Sequence, residues 1–113
     1  MINAERLQME IGINIPAEEL SVYLAEEGLN ATDEYIPHSP SNKRKIYQAA
    51  LSILNSVANN PQNMKAYKHD DLTITDFAKS IQNRIEQLER KIRMMSATDE
   101  QEGNSSVFML FNS

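Results

Sequence analysis

Six apolar residues toward the C-terminal end of the chain, Ala78, Ile81, Ile85, Leu88, Ile92 and Met95, recur at alternating steps of three and four. That spacing holds all six on one helical stripe and is incompatible with a strand, whose side chains change face at every residue. It predicts a long helix over residues 76–95, with Thr75 as its cap and Asp76 against the positive end of its dipole. Ile occupies two a positions and Leu a d position of a heptad. Such a seam has two readings: a parallel interface with a second chain, in which Arg84 at g pairs with Glu89 at the following e, or one face of a compact bundle.

The remainder of the chain reads as helices too. Leu7 and Ile11 share a face over residues 4–11, and Gly12 is placed to stop that helix in the left-handed conformation. Pro16 suits a first helical position, and Glu18 and Glu19 follow it. A second helix is expected over 17–35, where Leu20, Leu24, Ala31 and Tyr35 fall near one stripe. Gly28 lies in its midst, marking either a close approach by another helix or simple tolerance. Ile36-Pro37-His38-Ser39-Pro40 is a stiff break. Ser41 or Asn42 can then cap a third helix to Asn59. Its apolar stripe is double: Ile46, Ala50, Ile53 and Val57 beside Tyr47, Leu51, Leu54 and Ala58. A stripe that wide belongs to a helix contacted on two sides, so this helix is expected at the centre.

Residues 62–75 are less regular. Met64, Ala66 and Tyr67 can extend a turn of helix, and Leu72-Thr73-Ile74-Thr75 has the alternation of a short extended segment. The expected fold is all-α: a small bundle of about four helices with a long C-terminal helix and an extended C-terminal tail. A helical domain over 1–95 is followed by residues 96–113, a polar linker and the apolar peptide Val107-Phe108-Met109-Leu110-Phe111. That peptide either folds back on the bundle or docks onto another chain. Alternation of its side chains would suit addition to a partner's sheet edge, and the linker, extended at roughly 3.3 Å per residue, would let it reach some 30 Å.

Composition narrows the function. With 113 residues, 41% hydrophobic and 24% charged, the chain is globular rather than disordered. So small a core gains from burial against partners. It has no cysteine, which removes disulfides, thiol catalysis and thiolate metal sites and fits a reducing compartment. No apolar run approaches the roughly 20 residues of a membrane span, and Met1-Ile2-Asn3-Ala4-Glu5-Arg6 lacks the basic start of a signal peptide, so the expectation is a protein used inside the cell. The net charge of −5 is unevenly spread: residues 1–42 hold eight acids and one base, residues 43–95 ten bases and five acids. A chain so divided can associate head-to-tail, Glu26 and Glu27 of one copy meeting Lys43, Arg44 and Lys45, or Arg84, Arg90 and Lys91, of the next. The alternative is that solvated helix faces sort by sign.

Nothing in the pattern points to catalysis. His69-Asp70-Asp71 hints at a hard cation, but three adjacent residues cannot all face one ion. His38 stands apart from it. Glu18-Glu19 and Glu26-Glu27 are neighbours on a helix and point in different directions, so neither is an acid/base dyad. Gly12, Gly28 and Gly103 make no phosphate loop, and no histidine is placed to activate a hydroxyl. The expectation is no enzyme, no cofactor and no metal. Lys43-Arg44-Lys45 and Arg90, Lys91 and Arg93 are basic, but each cluster is short and the chain's isoelectric point is near 5.0, a poor footprint for groove binding.

The order of elements, from Glu5-Arg6-Leu7 through Gly12 and Ile15-Pro16 to the acidic Glu19-Leu20…Tyr23-Leu24-Ala25-Glu26-Glu27…Tyr35, resembles the head–tail connector (adaptor) family of tailed bacteriophages and prophages. Residues 43–59, 62–75 and 76–95 fill the places of that family's long apolar helix, irregular loop and last Arg- and Leu-rich helix. The resemblance spans about residues 4–95; the Pro37/Pro40 break and the apolar C-terminal peptide depart from it. It implies a homo-oligomeric ring between portal and tail-completion proteins, around a channel through which DNA passes without sequence-specific contact. Such a protein is a virion component assembled in the bacterial cytoplasm, with no membrane partner, no cofactor and no catalytic residues. The other reading is a small helical regulatory or adaptor protein dimerising through residues 78–95.

Overall fold

A computed structural model describes the backbone of residues 1–68 and 72–111 and, Pro61 and Asn63 apart, the side chains of these up to Met95. Its elements are α1 (Asn3–Ile11), α2 (Ala17–Glu26), α3 (Pro40–Ala58), α4 (Pro61–Tyr67) and α5 (Ile74–Phe111). The all-α bundle expected from the apolar spacing is the observed fold. Helix α3 is its axis and packs against all four others. Ile46, Tyr47, Ala49, Ala50, Ile53, Leu54 and Val57 of α3 are buried, as the double stripe requires.

Helix α1 opens with the Ile2 amide donating to Glu5 Oε1 at 2.9 Å, the reciprocal half of a capping box. It closes at Gly12, which has φ +79° and donates its N–H to Gln8 O at 3.2 Å. The expected left-handed stop is there. The Gln8 side chain then clamps the loop, donating to Ile13 O and accepting from the Ile15 amide at 3.1 Å.

Helix α2 is shorter than the spacing of Ala31 and Tyr35 indicated. It ends at Glu26, not near 35, because Gly28 also adopts φ +79°. The Leu29 amide bonds to Leu24 O at 2.9 Å and the Gly28 amide to Ala25 O at 2.9 Å, the paired bonds of a Schellman stop. Nothing lies within 4 Å of a Cβ built at Gly28, so this glycine serves the turn and admits no helix. Residues 29–35 instead run back to the chain's start. Ala4 N bonds to Ala31 O, Asn3 N to Asp33 O and Tyr35 N to Met1 O, and Ile2 and Glu34 form an isolated antiparallel bridge. Tyr35 is buried there, outside any helix.

The double-proline break divides differently from expectation. Ser39, not Ser41 or Asn42, caps α3, its Oγ accepting from the Asn42 amide at 3.1 Å, and Pro40 is a first-turn residue. Asn42 is thereby released for the core. Its Nδ2 donates to Asn3 Oδ1 at 3.1 Å, its Oδ1 accepts from the Ile36 amide at 2.8 Å, and Asn3 Nδ2 donates to Asn30 O at 2.9 Å. Two buried side-chain amides thus join α1, the 29–38 loop and α3.

Asn60 Oδ1 accepts from the Gln62 amide at 3.0 Å and caps α4, a two-turn helix where a single turn was expected. Residues 69–71, and with them His69-Asp70-Asp71, lie outside the described residues. Thr73, not Thr75, caps α5, its Oγ1 accepting from the Asp76 amide at 3.0 Å, so Ile74 and Thr75 are helical and not extended. The backbone of α5 continues past Met95 to Phe111, where a linker and an extended peptide were expected. Ala97, Glu100, Gln101 and Glu102 are good helix formers and no proline interrupts them, so low apolar content was a poor sign of helix ending.

Candidate protein-interaction surfaces

The seam of α5 is an internal face. Ile81, Ile85 and Leu88 are buried against the core and Ala78, Ile92 and Met95 pack at its edge, joined by Phe77, which lies one turn before Ile81 and was not read as part of the seam. The compact-bundle reading of the heptad describes it.

Two of the bases read as partner-binding are engaged within the chain. Arg84 Nη1 donates to Glu10 O at 2.8 Å, satisfying a carbonyl that the end of α1 leaves without a helical partner. Its guanidinium carbon would lie 3.3 Å from a Cβ at Gly12, so the missing side chain there gives Arg84 its seat. Lys91 Nζ lies 3.3 Å from Glu10 Oε2 and 5.0 Å from the centre of the Tyr47 ring. Arg6 Nη1 approaches the other Glu10 oxygen at 3.1 Å, and the Arg6 guanidinium carbon sits 5.4 Å from the centre of the Tyr35 ring. Burial alone would lower the Arg6 pKa, but the Glu10 carboxylate outweighs it and the net shift is upward. Glu10 is therefore the hub that ties α1 to α5, a role its sequence neighbours do not advertise.

The other candidates differ in exposure. Glu26 is exposed and Glu27 half-buried at the α2 stop; Lys43, Arg44 and Lys45 are half-buried in the first turns of α3; Arg90 is exposed. The side chains of Val107, Phe108, Met109, Leu110 and Phe111 lie outside the described residues. His38 is exposed, and among the described residues no three His, Cys, Asp or Glu side chains gather as metal ligands. No described helix is long and apolar enough to cross a membrane.

Two open features flank Tyr67. One, of about 820 Å³, is bordered by Met9, Ile13, Ile15 and Ala66. The other, of about 320 Å³, lies between α2, α3 and Tyr67. Its α2 wall is Glu19, Val22, Tyr23 and Glu26, which are spaced as one helical stripe. The Tyr67 hydroxyl donates to Glu19 Oε2 at 3.3 Å, and partial burial, then the Glu19 carboxylate, raises the pKa of the phenol. Val22 is 56% exposed at the lip. The spacing of this mixed stripe is visible in the sequence, but only Glu26 of it was read as a contact residue.

On α5, Arg90, Arg93 and Met94 point away from the buried stripe, and Met94 is 64% exposed. Helices α2 and α5 each pack on α3. The acidic stripe and the basic strip therefore sit on different helices of the bundle. Compared with known protein families, curated proteins and solved structures, the chain matches none.

Proposed function

We propose that this chain is a structural subunit that assembles head-to-tail with copies of itself, as a ring of the head–tail connector kind between portal and tail-completion proteins. The observation that carries the reading is the separation of charge on the fold. Glu18, Glu19, Glu26 and Glu27 lie on or beside α2, while Arg90 and Arg93 lie on α5; both helices pack on α3. A contact between two unlike surfaces repeats until it closes into a ring or runs on as a filament. An acidic subunit also suits a channel wall that must let DNA slide without holding its phosphates. Dimerisation through residues 78–95 has less support, because that stripe lies on the chain's own α3.

Native mass spectrometry tests the reading, on the protein alone and mixed with the portal protein of the same genome. A closed oligomer is expected in at least the mixture, weakened by added salt and by Glu26→Lys with Glu27→Lys while the helical spectrum stays intact. A monomer under both conditions would remove the proposal.

A further inference from the structure

The wall of the α2 groove and the outer strip of α5 have matching patterns. The groove offers an apolar notch, Val22 and Tyr23 above Ile53 and Val57, between two carboxylates, Glu19 and Glu26. Those carboxylates are two turns apart, about 10 Å along α2 at 1.5 Å per residue. The strip offers an exposed thioether, Met94, with guanidinium groups at Arg90, one turn before it, and Arg93, beside it. Glu86 stands one turn before Arg90 and Glu89 one turn before Arg93, which confines the cationic strip to residues 90–94. An unbranched thioether adapts its shape to a small apolar notch, and guanidinium groups bind carboxylates in a fixed planar fork.

We infer that these are the two halves of one contact: Met94 of one copy enters the Val22–Tyr23 notch of the next, with Arg90 and Arg93 against the next copy's Glu26 and Glu19. The occupant is a second copy of this chain, and the argument is complementarity of charge around an apolar contact. The inference rests on the head-to-tail reading and gives it an address. Its two halves belong to different helices, α2 and α5, each packed on α3. Desolvation of the flanking pairs is partial, so they set orientation and encounter rate while the thioether supplies the buried apolar area.

The absence of cysteine gives a clean background for the test. Val22→Cys and Met94→Cys are both exposed substitutions that leave the fold intact. Mixed under mild oxidation, with and without portal protein, they should form a disulfide dimer that neither gives alone. Thr32→Cys, exposed on the 29–38 loop, should form none with Met94→Cys. A single chain carrying both substitutions should give a ladder ending at the ring. Independently, Glu26→Arg and Arg90→Glu should each weaken assembly roughly five- to tenfold, and the chain carrying both should recover most of it. Assembly without the 22–94 disulfide, or without charge-swap recovery, overturns this contact and leaves head-to-tail assembly standing. No assembly in any mixture overturns both.

Discussion

Around Asn3 the chain is joined by directional bonds. Two buried amide side chains and three backbone bonds connect α1, the 29–38 loop and the start of α3 over a small area. Along α5 the joining is by area: Phe77, Ile81, Ile85 and Leu88 are buried, with polar ties to α1 at Arg84 and Lys91. The two attachments fail differently. An apolar stripe that loses one side chain loses that side chain's burial and some packing. An amide network that loses one member leaves its partners buried without hydrogen bonds, and the penalty falls on atoms that were not changed.

The strongest way to break the comparison is to remove what both regions share. Ile53 is 2% exposed at the middle of α3, the helix against which all the others pack, and Ile53→Asp buries a charge with no partner. Losses above about 4 kcal/mol are the mark of such changes and would consume most of a small domain's stability. Circular dichroism should show an unfolded chain; a cooperative melt near that of the parent would mean that α3 is not the axis.

The comparison is sharpened by one substitution in each region. Leu88→Ala should cost about 3 kcal/mol in urea unfolding, as expected for a leucine 1% exposed. Asn3→Ala should cost about 2 kcal/mol, because Asn42 Nδ2 and Asn30 O lose their partner together. The decisive quantity is additivity. Leu88→Ala with Asn3→Ala should sum to within about 0.5 kcal/mol, whereas Asn3→Ala with Asn42→Ala should cost clearly less than its parts. Simple addition in the amide pair would show that the two amides act separately.

The smallest effect lies where polar ties meet the α5 flank. Gly12→Ala places a side chain at φ +79° and against Arg84, costing about 1–2 kcal/mol for the left-handed backbone alone. In an Arg84→Ala background the same substitution should cost less, since the crowding at 3.3 Å has gone. Equal costs in both backgrounds would assign the whole effect to the backbone and none to the seat of the guanidinium.

This difference between regions also explains what was legible beforehand. Burial by area leaves a period, so the double stripe of α3 and the seam of α5 could be read directly, as could Gly12 beyond an apolar stripe that simply ended. Gly28 was misread because Ala31 and Tyr35 happen to continue the spacing of Leu20 and Leu24, although the chain has already turned. Directional bonds leave no period. Asn3 meets Asn42 across 39 positions and Glu10 meets Lys91 across 81, and no spacing rule connects such residues. The α2 stripe of Glu19, Val22, Tyr23 and Glu26 fell between these cases: its period was visible, but only Glu26 of it was read as a contact residue.

The Arg84 seat at the end of α1 has a consequence for synthesis. The first helix precedes by more than 70 residues the groups that bond its Glu10 carbonyl and carboxylate, which belong to residues 84 and 91. Until those are translated, the C-terminal end of α1 has only its local ties: the Gly12 stop, the Gln8 clamp and Arg6. Contacts this distant along a chain form late and slow the search for the native state. Co-translational folding of this domain is thus arranged around its last long helix, and the unfinished chain spends most of its synthesis with its first helix unlatched.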